Sequence, residues 1–149
     1  MPSTRNALRD FINRYSNIAT DNHIWYWGNS TTTRGKLYYL TTTNTWALTN
    51  ASTNAKGSDQ VLAIALGTDS RQDGMLLRGR FTVPQANITS WTQGKALYMA
   101  ETTDGLMTTV APNGPGQVVR VVGHCMGKNT GILGSPLYFN PEPGWLELV

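Results

Sequence analysis

A chain of 149 residues carries enough apolar side chain for a single core, with no second domain required. Charged residues are only 14% of the chain while Thr, Asn, Ser and Gly abound, a composition of β-rich extracellular or particle-surface proteins and not of α-helical cytosolic enzymes. The formal charge of +3 is spread along the chain with no dense basic stripe, which argues against a nucleic-acid partner. One cysteine, Cys125, excludes an intramolecular disulfide, and with His23 and His124 as the only histidines it leaves too few soft ligands for structural zinc.

Met1 to Thr20 is polar and broken by Arg, Asn and Asp, without the apolar run of a signal peptide, and no window approaches the length of a membrane span. The expectation is a protein made in a cytoplasm, with no membrane partner. Within this segment Ser3 or Thr4 can cap a helix in which Leu8, Phe11, Ile12 and Tyr15 fall at i, i+3, i+4 and i+7, forming one apolar stripe. The stripe fits either of two uses: plugging the domain's own barrel or sandwich, or docking on a partner subunit.

His23 to Gly28 is rich in aromatics and bounded by turn residues, so it reads as a strand with Trp25 and Trp27 on one face. Core packing is the expected use of these rings, with sugar stacking the alternative. Then Gly35-Lys36-Leu37-Tyr38-Tyr39-Leu40 opens a series of strands continued by Trp46 to Thr49, Val61 to Leu66 and Met75 to Val83, the last interrupted at Gly79 by an expected bulge. Gln85 to Gln93 is a link. Gly94-Lys95-Ala96-Leu97-Tyr98-Met99 starts the series again, with Asp104 to Thr109, Val118 to Gly123 and Leu137-Tyr138-Phe139 in the same order, and a closing strand from Trp145 to Val149.

The spans Gly35 to Gly67 and Gly94 to Gly123 differ by three residues, and the difference sits in loops, where length is free to vary. The sequence therefore predicts an all-β fold: a single barrel or sandwich built from two pseudo-repeated halves, with one short N-terminal amphipathic helix. Residues 1–29 hold the helix and the aromatic strand, and residues 30–149 the duplicated domain, with repeats at about 31–84 and 90–149.

A search for chemistry returns little. His124 and Cys125 are adjacent, so on a strand they point to opposite faces and His124 does not serve Cys125 as a base. Asp69, Asp73 and Asp104 lack the alternating ligand spacing of a calcium loop and read as turn residues. Gly35-Lys36 and Gly94-Lys95 are not phosphate loops, because no Gly-rich run precedes the lysine and no helix follows. With no paired carboxylates, metal cluster or triad, the expectation is a binding or assembly module without metal or cofactor, and not an enzyme.

The segments Arg34 to Leu40 with Trp46, Leu62 to Gly67 and Gly74 to Gly79, and then Gly94 to Met99, Thr108 to Pro112, Val118 to Gly123, Leu137 to Pro141 and Trp145 to Leu148, resemble a module common in virion structural proteins of tailed bacteriophages. The likeness runs from about Thr31 onward. It implies a non-enzymatic virion protein, a capsid decoration or cement protein on the particle surface, whose partners are the major capsid protein and copies of itself, usually in a homotrimer. Candidate contact residues under that reading are Leu8, Phe11, Ile12, Tyr15, Trp25, Trp27 and Trp145. Tail and fibre proteins carry the same kind of module, which implies an alternative: binding of a host-surface glycan through Trp46, Trp91 or Trp145.

Overall fold

The computed structural model describes residues 22–53, 55–127 and 134–149. The expected N-terminal helix, with Leu8, Phe11, Ile12 and Tyr15, lies outside the described residues. The described residues form an all-β fold, a sheet curled into a half-barrel, with a 3-10 turn at Gln85–Asn87.

The strands in chain order are β1 (His23–Trp25), β2 (Leu37–Leu40), β3 (Trp46–Leu48), β4 (Leu62–Ala65), β5 (Met75–Val83), β6 (Ile88–Thr89), β7 (Ala96–Met99), β8 (Met107–Thr108), β9 (Val118–Val119), β10 (Val121–Cys125), β11 (Ser135–Phe139) and β12 (Leu146–Glu147). The main sheet runs β3-β2-β4-β5-β11-β10-β7-β8-β6, with β1 on β5, and β12 and β9 form a separate ribbon. Read outward from β5 and β11, the order is a palindrome of the two halves: β4, β2, β3 on one side and β10, β7, β8 on the other. Short strands joined by polar turns, with apolar residues alternating along them, give this meander naturally.

The hydrogen bonds repeat residue for residue. Gly35 N–H donates to Ala65 and Gly94 N–H to Cys125, while Ala65 N–H donates to Lys36 and Cys125 N–H to Lys95. Both copies open on the same turn, closed by Lys36 N–H to Thr33 and Lys95 N–H to Thr92, with φ +83° at both Gly35 and Gly94. That left-handed backbone is why glycine stands at both positions. The register Ala65↔Met75 matches Cys125↔Leu137, so Leu137-Tyr138-Phe139 replaces Met75-Leu76-Leu77 as the sequence predicts.

The two copies nevertheless turn opposite faces to the core. The main cluster takes Leu97, Met99, Met107, Cys125, Leu137 and Phe139 from the second copy. Their register counterparts in the first copy, Tyr38, Leu40, Trp46, Ala65, Met75 and Leu77, lie in or against a separate cluster on the other face of the sheet. From the first copy the main core takes Leu37, Leu62, Ile64 and Leu76 instead.

The cause lies in β5. Its first residues pair with β4 on one edge and β1 on the other, Met75 and Leu76 being common to both. Beyond Arg78 the β1 edge passes to Asn22, whose side-chain amide accepts from Arg80 N–H and donates to Arg80 C=O, each at 3.0 Å. Strand β11 therefore pairs with Gly79 to Val83 along the edge that β4 has left. The ladder irregularity at His23/Ile24, opposite Arg78, and φ +139° at Gly79 turn the strand there, close to the expected bulge.

Several boundaries differ from expectation. The segment from Val118 to Gly123 is split at Arg120 into β9 and β10, because β9 pairs with β12 while β10 pairs with β7 and β11. The closing strand is only Leu146–Glu147, and the aromatic strand ends at Trp25. The link contains β6, parallel to β8, and two residues carry no periodicity from which to read a strand.

Candidate functional site

The second cluster defines the candidate interaction surface. Apolar residues on both faces of a strand mean burial on both sides, and β4 reads Leu62-Ala63-Ile64-Ala65 with all four buried. On the outer side, Trp25 lies opposite Met75 and stacks on Trp27, ring centroids 5.2 Å apart and planes within 1°. Trp46 meets Trp25 edge-on at 6.2 Å and donates its indole N–H to Trp27 C=O at 2.9 Å. The alternation expected for Trp25 and Trp27 thus yields a stacked pair resting on a third ring.

This aromatic cover does not close the face. Trp27 is 44% exposed and Val61 49%. Beside them runs an open groove of about 600 Å³ lined by Asn22, His23, Ile24, Trp25, Val61 and Leu77. A second exposed apolar group lies at the far end of the chain, with Trp145 39%, Leu146 59% and Val149 116% exposed.

The other sequence candidates are dispersed. Of the rings expected to face a glycan, Trp46 is buried at 5% and its N–H is spent inside the protein, so it offers no stacking face. Trp91 is partly buried against the main core, with its indole N–H 3.4 Å from Pro136 C=O. Trp145 is exposed and immediately precedes β12. Trp25 and Trp27 share one face, while Leu8, Phe11, Ile12 and Tyr15 lie outside the described residues.

Cys125 is buried, and that burial pushes its thiol pKa up, against a smaller opposing effect of a hydrogen bond at the Thr92 backbone. His124, one residue earlier, is exposed on the opposite face. The pair therefore does not form a nucleophile with its base, as alternation along a strand requires. The aspartates organise turns: Asp73 Oδ2 accepts from Thr68 and Asp69 N–H, Asp69 Oδ1 from Arg71 and Gln72 N–H, and Asp104 Oδ1 from the Asn50 side chain. Among the described residues, no group of three His, Cys, Asp or Glu side chains is placed to hold a metal ion, and no helix is long and apolar enough to cross a membrane.

Comparison with protein-family models, with curated proteins and with solved structures returned no match.

Sequence reasoning missed Arg120. It is buried, with its Nη1 within 2.8–3.0 Å of the carbonyls of Gly57, Ser58 and Gln60 and its Nε donating to Glu142 C=O at 2.8 Å. Burial lowers its pKa, and the nearby Asp59 acts in the opposite direction. The only signal in the sequence is a lone arginine inside a run of valines, which reads equally well as an outward-facing strand residue.

Proposed function

We propose that this protein is a non-enzymatic virion structural component, a decoration protein that stabilises a phage head by seating on the major capsid protein, with copies of itself in a homotrimer. The observation that carries the reading is the first-copy sheet, apolar on both faces and incompletely covered on its outer one, where Trp27 and Val61 stay exposed and a groove lined in part by Trp25, Val61 and Leu77 lies open. A monomer gains nothing from holding these groups in water, whereas an assembly partner buries them. Aromatic rings held rigidly by stacking lose little entropy on contact and supply most of the binding energy of small interfaces.

Few side chains border this groove, whereas a standard stable interface of roughly 1,600 Å² takes about 20–30 residues a side. Symmetry compensates, because three linked copies engage a lattice with an effective concentration that one copy lacks. The polar Thr-rich turn Thr41 to Thr45, knit by hydroxyl contacts among Thr41, Thr43 and Thr45, suits a face left in water. The tail or fibre reading, binding a host glycan, keeps one exposed ring of its three, Trp145.

Quantitative mass spectrometry of purified virions tests the proposal. A copy number near that of the major capsid protein supports it, and a handful of copies, or none, overturns it. In the same particles Trp27→Ala is expected to lower occupancy at least about tenfold while leaving the melting curve of the isolated protein within about 1 kcal/mol of the original.

A further inference from the structure

We propose that the cavity at the edge of the second copy, where the ends of β6, β7 and β8 meet, binds an alkylammonium group, the chemistry of a lysine side chain or a free primary amine. It has a volume of about 230 Å³; its polar lining includes Glu101, Thr89, Ser90 and Thr108, and Val110 and Pro112 add apolar surface. Strand pairing assembles the site. Thr89 lies beside Thr108 in the parallel β6–β8 pair. Glu101 follows Ala100, whose N–H donates to Leu106 C=O at 3.0 Å and whose C=O accepts from Ala51 N–H at 2.9 Å.

Glu101 sets the charge of the site. Its Oε2 is buried and has no hydrogen-bond partner. An ionised oxygen held out of water without a donor costs free energy until a positive charge stands near the carboxylate. Among the described residues that line the cavity there is no lysine, arginine or histidine to supply one. An ammonium group seated in the cavity does so, and because Coulomb attraction acts on the carboxylate as a whole it need not touch the buried oxygen. Its three N–H donors also find hydroxyl acceptors in the same lining. Two of these positions are held firmly: Thr108 Oγ1 accepts from Val110 N–H at 3.1 Å, and the Ser90 carbonyl accepts from the Thr92 hydroxyl at 3.1 Å and from the Thr109 hydroxyl.

Size and apolar surface select among cations. A calcium ion takes about six to eight oxygen ligands, commonly from several carboxylates, and Glu101 is the one carboxylate among the described residues of the lining. The volume lies below the roughly 300–1,000 Å³ of pockets for drug-sized ligands and suits a chain of a few carbons. Val110, 61% exposed, and Pro112 give such a chain an apolar surface to lie on, as methylene stems of long cationic side chains do elsewhere. This inference does not depend on the capsid reading.

The test is a titration of the full chain with n-butylammonium chloride, and separately with a capped pentapeptide of glycines around a central lysine, at constant ionic strength, followed through the backbone amide resonances. The expected result is a saturable shift centred on Glu101 and Thr108. It should weaken at least about tenfold in Glu101→Gln, which keeps the shape and removes the charge, and about threefold in Val110→Ala. 1-Butanol, the same chain without the charge, is expected to give no saturable shift in the unsubstituted protein, which keeps the test valid if a variant does not fold. Tighter binding of the peptide assigns the cavity to a lysine of a partner protein, and equal or tighter binding of butylammonium assigns it to a free amine; both support the proposal. No saturable shift at these amides up to about 50 mM butylammonium, an equal shift with 1-butanol, or the same affinity in Glu101→Gln overturns it.

Discussion

Arg120 shows what one buried charge does in a fold this short of charge. Its guanidinium serves carbonyls of the 57–60 loop in the first copy and of Glu142 in the second, and its bonds to the Gly57 and Ser58 carbonyls are buried. Replacing it by leucine removes the donors and leaves the acceptors, so Arg120→Leu is expected to cost about 3 kcal/mol in a urea melt. Arg120→Lys restores the charge but not the fork and is expected to fall between. Hydrogen exchange gives the local readout: the amides from Gly57 to Gln60 should lose protection in both variants before the strands do.

Cys125 makes the opposite case, a reactive group kept silent by packing. Its thiol pKa is raised in the fold, so the neutral form is favoured there and the thiolate is favoured in the unfolded chain. The stabilisation is fully present below the unfolded value of about 8.5 and is lost as pH rises through the higher folded value. Native protein is therefore expected to react with a thiol reagent far more slowly than denatured protein, and Cys125→Ser should remove the part of the alkaline loss of stability that this group causes. A native thiol that reacts at the unfolded rate would contradict its burial.

At the scale of elements, the same strand order and turns occur twice with opposite faces turned inward. Met99 and its register counterpart Leu40 make the consequence measurable. Met99 is fully buried in the main core, whereas Leu40 is partly buried against the outer cluster. Met99→Ala is expected to cost about 2–4 kcal/mol, as for other core truncations, and Leu40→Ala clearly less. Equal losses would mean that both copies contribute the same face. The strand that produces the inversion is β5, and its turning point carries its own test. Gly79→Ala combines a strained φ with a clash against the Asn22 side chain and should destabilise by about 1–3 kcal/mol. Asn22→Ala, which frees that space but unclips Arg80, should destabilise too, through the two backbone groups it leaves without a side-chain partner.

At the scale of the whole molecule, the outer face of the second copy carries Ala96, Tyr98, His124 and Tyr138, partly or fully exposed, where the first copy places Leu37, Tyr39, Ile64 and Leu76 against the core. The inversion thus leaves the molecule with an apolar outer face on one half and a mixed polar one on the other. Such an asymmetric surface suits a protein that presents one side to a partner and the other to water. If the apolar half is the buried side in an assembly, Trp27→Ala should weaken assembly while changing the stability of the isolated protein by no more than about 1 kcal/mol, and Tyr98→Ala should leave assembly unchanged.

The strand set, its duplication and the turn positions were legible in the sequence because they depend on local chemistry. Alternation marks a strand, positive φ asks for glycine at Gly35 and Gly94, and Leu137-Tyr138-Phe139 repeats the pattern of Met75-Leu76-Leu77. The same local logic separated His124 from Cys125. What the sequence could not carry is where β5 changes the face it turns to the core, between Leu76 and Phe81, and which edge of it receives β11. The edge depends on Asn22 occupying the other one, a contact across 58 positions of chain. Apolar residues on both faces of the first copy fit a core on either side, so Trp46 reads equally well as a buried ring or an exposed one until its neighbours Trp25 and Trp27 are placed. Arg120 was hidden for the same reason: a buried guanidinium and a solvent-facing one have the same sequence signature, and only tertiary contacts supply the carbonyls that distinguish them.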